Sequence, residues 1–158
     1  MLFNSFSYAL FLPIVFIIYW IIPQKFRWII LLISSYYFYA SWGPQYVAII
    51  LLTTIVSYVA ALLIDSKRTG KLYSKTILII SLLLCTGLLF FFKYLNFFAE
   101  NISALFEKMA IPIQPITLKL ALPIGISFYI FQTISYLVDV YRGEIHAEKD
   151  FGIFAVYI

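Results

Sequence analysis

Group transfer or hydrolysis near neutral pH needs a base or a nucleophile, and this chain offers few. His146 is its only histidine, and imidazole is the side chain best suited to take a proton at that pH. It stands between Arg142 and Asp150 with Glu144, Glu148 and Lys149 around it, so a solvated surface role is expected. Cys85, the only cysteine, lies inside an apolar run. It reads as a small buried hydrophobe and excludes a disulfide within the chain. There is no Ser-His-Asp order, no GxGxxG, no phosphate loop and no cluster of metal ligands in the sequence. No catalytic or metal-binding residue is therefore assigned within these 158 residues.

The informative stretch is Leu120–Arg142. It carries no charge from Leu120 to Val138, yet it holds Ser127, Gln132, Thr133 and Ser135. Such groups cost free energy in lipid unless protein or water satisfies them. At about 100° per residue, Gly125, Phe128, Gln132, Ser135, Asp139 and Arg142 fall within roughly one third of a helix circumference. Ile126, Ile130 and Leu137 form the opposite, apolar arc. The pattern predicts a helix starting at Pro123 and Ile124, with Pro123 near its first turn and Gly125 permitting close approach. The apolar arc is expected to meet lipid, and the polar stripe a packing or working surface. Gln132, Ser135 and Asp139 then have two readings. They are interhelical hydrogen-bonding groups worth about 0.6–2 kcal/mol each, or they line a path for a substrate. Asp139 and Arg142, three apart, read as an exposed ion pair or as the mouth of that path.

Composition says which elements carry this helix. With 64% apolar and 11% charged residues, the chain has about half the charge of a soluble domain. The net charge of +4 does not point to nucleic acid, because the Lys and Arg residues sit between apolar runs and form no stripe. Ser7–Ile22 reads as a retained membrane helix kinked at Pro13, with Tyr19 and Trp20 at headgroup level. Phe26–Ala40 follows the basic turn at Lys25 and Arg27. It reaches only about 22 Å as a helix, short of the hydrocarbon core. After the turn Ser41-Trp-Gly-Pro-Gln45, Tyr46–Ile64 has ordinary spanning length. Thr76–Phe92 is the next apolar run, with Lys93 snorkelling from its end. Phe98, Ile102, Leu105, Phe106 and Met109 then recur at helical spacing, so Phe97–Met109 reads as a separate amphipathic helix on a surface.

These segments give an all-α, polytopic transmembrane bundle of five spans, one interfacial helix and the start of a sixth span. Phe151–Ile158 begins that sixth apolar run and is too short to cross a bilayer. Residues 1–158 are therefore expected to be the amino-terminal part of a single, longer membrane domain. Eight Lys and Arg residues fall on the odd-numbered connections and three (Lys93, Lys108, Lys119) on the even ones. That bias puts the odd connections in the cytoplasm and the amino terminus outside a cell or inner membrane.

Leu122 to Glu144, the opening Met1-Leu-Phe-Asn-Ser, Tyr19-Trp20, Ser35–Trp42 and Phe92–Phe98 together resemble the membrane-bound O-acyltransferases. They are closest to the bacterial branch with alginate O-acetyltransferases and teichoic-acid D-alanyltransferases. The resemblance runs in order along essentially the whole chain. It implies transfer of an acyl group, acetyl or similarly small, to hydroxyls of an extracytoplasmic polysaccharide or cell-wall polymer. It implies an essential histidine beyond residue 158, and a tunnel in which Gln132, Ser135, Asp139 and Arg142 are candidates. It implies no bound cofactor, with acyl-CoA or a carrier-protein thioester as the acyl donor. Its partners would be the bilayer, the rest of its own chain, and an extracytoplasmic acyltransferase or cytoplasmic acyl carrier. A transporter or flippase, with the stripe lining a substrate path, and a non-catalytic membrane subunit are the alternatives.

Overall fold

The computed structural model describes residues 5–66, 70–108 and 125–158. It is 85% helical, and no strand occurs among the described residues. Among the described residues six α-helices follow in order: α1 (Phe6–Ile21), α2 (Arg27–Ala40), α3 (Pro44–Asp65), α4 (Lys71–Lys108), α5 (Ile126–Arg142) and α6 (Phe151–Tyr157). Among the described residues, two segments are long and apolar enough to cross a membrane, α3 and the Lys71–Tyr94 part of α4, and α1 is a shorter apolar helix.

The helix ends follow local chemistry. Ser5 caps α1, its hydroxyl accepting from the Tyr8 N–H, as an N-cap serine does for an otherwise unpaired donor. The corner between α1 and α2 is closed by Arg27. Its guanidinium lies 4.9 Å from the Tyr19 ring centroid and 5.3 Å from that of Trp20, and its Nε donates to the Ile22 carbonyl. Pro44 occupies the first turn of α3 after Gly43, where a missing N–H loses no bond. Asp150 caps α6, accepting from the N–H groups of Gly152 and Ile153.

Three expectations require correction. The amphipathic segment from Phe97 is not a separate surface helix, because α4 runs unbroken from Lys71 to Lys108; Met109 lies outside the described residues. Phe92-Lys-Tyr-Leu-Asn-Phe-Phe98 contains neither Gly nor Pro. A change from apolar to polar composition alters what the helix faces without ending it. Second, α5 begins at Ile126 rather than at Pro123, which lies outside the described residues. Gly125 precedes it with φ +75°, a left-handed conformation that glycine adopts without steric cost and that cannot continue the helix.

The third correction concerns which side of α5 is covered. Ile126, Ile130 and Leu137, expected to face lipid, are buried together with Tyr129, Thr133, Tyr136 and Val140. α5 packs on α3 and α4, which also pack on each other. Apolar area and small residues drive that contact. Thr53, Ser57 and Ala61 on α3 and Ser81 and Cys85 on α4 recur at four-residue intervals and are all buried. Small side chains at that spacing let helix backbones approach in a membrane bundle. Their hydroxyls are mostly satisfied by their own helices: Thr53 and Thr54 donate to the Ile50 carbonyl, Ser81 to Ile77 and Thr133 to Tyr129.

Candidate functional site

The predicted polar stripe lies on the open side of α5. Phe128 is 77% exposed, Ser135 and Arg142 are exposed, and Gln132 and Asp139 are half-buried. Gln132 reaches across to α6, its amide donating to the Tyr157 carbonyl at 2.6 Å. Arg142 pairs with Glu144 at 3.7 Å instead of with Asp139. The helix ends at Gly143 with φ +77°, and the Asp139 carbonyl accepts the Gly143 and Glu144 N–H groups in closing it. That turn carries Glu144 back toward Arg142. The stripe thus holds one interhelical hydrogen bond and one exposed ion pair, and these residues do not converge on a single point.

At the end of α3 the chain is more firmly organised than its sequence suggests. The Asp65 carboxylate accepts from the Ala147 N–H at 3.1 Å, and its other oxygen lies 3.3 Å from His146 Nδ1. The Tyr136 hydroxyl accepts from the Glu148 N–H at 2.9 Å. The Tyr58 hydroxyl donates to the Lys149 carbonyl, and Glu148 accepts from the N–H groups of Lys149 and Asp150. Three side chains from α3 and α5 therefore hold three successive loop residues and fix where α6 begins. The His146 ring itself is 94% exposed, on an open cleft of about 530 Å³ that Asp65, Ser66 and Lys149 also line. A proton accepted there is shared with bulk water, so the geometry gives His146 no enclosed substrate to act on.

A second group was not anticipated from the sequence. Tyr36 and Tyr39 on α2 pack against a buried cluster of Ile50, Cys85, Ile126, Tyr129 and Ile130. The Tyr36 hydroxyl meets that of Thr54. Gly125 sits against this group, where a Cβ would come 3.4 Å from the Tyr39 hydroxyl, so the close approach expected of Gly125 is to a tyrosine of α2. Trp42 Nε1 and the Tyr129 hydroxyl are buried without a hydrogen-bond partner among the described residues, and the Ser57 hydroxyl meets the Cys85 thiol. The signal for this cluster was present in Ser35-Tyr-Tyr-Phe-Tyr39, whose Tyr36 and Tyr39 are three apart and so share a helix face.

Set against known proteins, the chain is 35% identical over 94% of its length to a probable alginate O-acetylase of Pseudomonas syringae pv. tomato. It is 34% identical over the same share to a probable alginate O-acetylase of Pseudomonas putida. A peptidoglycan O-acetyltransferase of Helicobacter pylori is 34% identical over 90% of the chain. Over nearly its whole length the chain is similar to these O-acetylating proteins. It spans 29%, 30% and 27% of the lengths of these three relatives, less than a third of each. No family model matches the chain, and no solved structure matches it. The two organised regions differ in kind. The Asp65 loop is exposed and held by side-chain to backbone bonds, whereas the tyrosine group packs among helices α2, α3, α4 and α5.

Proposed function

We propose that this chain forms part of a membrane O-acyltransferase that moves a small acyl group, acetyl first among them, onto hydroxyls of an extracytoplasmic polysaccharide or cell-wall polymer. One observation carries the reading: sequence identity above 30% to alginate O-acetylases extends over 94% of the chain, and a peptidoglycan O-acetyltransferase matches at similar identity. The polymers in those names differ, and O-acetyl transfer is what they share. The acyl donor is acyl-CoA or a carrier-protein thioester reaching the protein from the cytoplasm. The acceptor oxygen attacks the thioester carbonyl carbon, the C–S bond breaks, and the hydroxyl proton passes through a base to the leaving thiolate. We place that base outside these residues, because His146 is solvent-exposed and tied to a loop. The partners of the full protein are the bilayer, further helices of its own chain, and an extracytoplasmic acyltransferase or a cytoplasmic acyl carrier.

We further propose five spans (α1 to α5) with α6 opening a sixth, and the amino terminus outside. The basic residues Lys25, Arg27, Lys71, Lys75, Arg142 and Lys149 then mark the cytoplasmic ends. The test is full-length protein purified into liposomes, supplied with labelled acetyl thioester and polymer. Polymer acetylation is expected from the full-length protein and none from residues 1–158 alone. Absence of transfer by the full-length protein to any polymer would overturn the reading. Turnover by residues 1–158 alone would place the base within them.

A further inference from the structure

The corner between α1 and α2 carries the first side-chain charges of the chain. No Asp or Glu precedes Asp65, and Lys25 and Arg27 are the charged side chains of the first 64 residues. Arg27 is half-buried and firmly held. Its Nε donates to the Ile22 carbonyl at 3.2 Å, and its guanidinium lies 4.9 Å and 5.3 Å from the ring centroids of Tyr19 and Trp20. Neither Arg27 nor Lys25 takes part in an ion pair among the described residues. The carboxylates of Asp65 and Asp150 are already engaged by loop and cap N–H groups. A half-buried guanidinium with no anion has lost hydration without compensation. With its stem fixed, its terminal nitrogens form a ready fork for a phosphate.

The surroundings say which phosphate. Trp20, Ile21 and Phe26 are each at least half exposed, so large apolar side chains flank the two cations. A soluble phosphate gains nothing from them. A phospholipid has both halves, a phosphate and acyl chains joined through glycerol. Tyr19 and Trp20 are of the types that sit at headgroup level, and they stand at the end of the apolar helix α1. Two positive charges with no free carboxylate beside them favour a headgroup of net negative charge. A zwitterionic headgroup would bring its own cation toward them.

We propose that this corner is a binding site for an anionic phospholipid. Arg27 forks onto the phosphate, Lys25 adds a second charge, and Trp20, Ile21 and Phe26 meet the glycerol and the first methylenes of the chains. The site is independent of the acyl-transfer reading and of which membrane face the corner occupies.

The test uses the full-length protein in detergent, titrated with phosphatidylglycerol or with phosphatidylcholine of the same chains, bound lipid being counted by native mass spectrometry. Wild type is expected to hold phosphatidylglycerol several-fold more tightly. Arg27→Gln is expected to weaken that binding about tenfold or more, the worth of a charge-assisted hydrogen bond. Arg27→Lys keeps the charge without the fork and should fall between the two. Lys25→Gln should weaken binding about fivefold, and Lys75→Gln, a basic change at the start of α4, should leave it unaltered. Lys25 is exposed and does not hold the corner together, so its variant tests the site even where Arg27→Gln fails to fold. Equal binding of the two lipids by wild type overturns the site. So does phosphatidylglycerol binding that is unchanged in both Arg27→Gln and Lys25→Gln. Displacement of the lipid by glycerol phosphate at equal concentration would also overturn it, since the apolar half would then contribute nothing.

Discussion

Asp65 and His146 are adjacent in space and opposite in consequence. The Asp65 carboxylate holds the Ala147 N–H and faces His146, whereas the His146 side chain is 94% exposed. Removing the carboxylate leaves a half-buried backbone donor unpaired, which costs about 1–3 kcal/mol. Asp65→Ala is therefore expected to lower the midpoint of thermal unfolding in detergent clearly. His146→Ala should change it little, since substitutions at exposed positions stay within about 0.5 kcal/mol. The same His146→Ala variant in the full-length protein is expected to keep acyl transfer nearly intact. A loss of about a hundredfold at normal expression, roughly 2.7 kcal/mol of barrier, would put His146 into the mechanism. The sequence placed His146 in a charged loop and on the surface. It did not reveal Asp65 as its partner, because the two residues are 81 positions apart and no local pattern connects them.

At the scale of elements, the apolar runs marked most helix bodies to within a residue or two, and the errors came from what lies between and around them. The polar change after Phe92 suggested a break, but helices end at caps and breakers, and none stands there. Between Lys75 and Asn101 a continuous α4 separates the two backbones by about 39 Å at 1.5 Å per residue. Spin labels at those positions are expected to report a distance near that value, broadened by the label arms. A much shorter distance would mean that the segment folds back along a surface. The inward face of α5 was misread for a different reason. Thr133 looked like a cost, yet its hydroxyl donates to the Tyr129 carbonyl one turn earlier, so it enters the interior satisfied. The seam Thr53, Ser57 and Ala61 is legible as small residues at four-residue spacing, a signal that periodicity of apolar residues alone does not carry.

The contact of α6 with α2 is set by one glycine. A Cβ on Gly152 would lie 2.2 Å from a carbon of the Trp28 ring, closer than atoms can approach, so α6 reaches α2 only because position 152 has no side chain. Gly152→Ala is expected to destabilise by about 1–3 kcal/mol through overpacking, measured by thermal unfolding. Combining it with Trp28→Leu, which shortens the opposing side chain, should cost less than the two changes added separately. Strict additivity would show that the two helices do not meet there.

For the whole molecule, the proposed orientation is tested by charge and by the continuity of α4 together. Lys67, Arg68, Lys71 and Lys75 precede the apolar part of α4, and Lys93, near its end, is followed by Glu100 and Glu107 before the next basic residue, Lys108. The apolar span Lys71–Tyr94 is about 36 Å long as a helix, enough for a hydrocarbon core of about 30 Å. The remaining residues to Lys108 extend about 21 Å further on the far side. Basic residues are retained in the cytoplasm, so the proposed orientation puts the Lys71 end there and the Lys108 end outside. A reporter fused after Arg68 is expected to read cytoplasmic, and one after Ser103 external. An unbroken α4 makes this a demanding test, since only one crossing separates the two sites. If both report the same side, either α4 does not cross or the helix turns back before Ser103. Moving the second reporter to Tyr94 separates these cases: an external signal there means a crossing followed by a return, and a cytoplasmic one means no crossing.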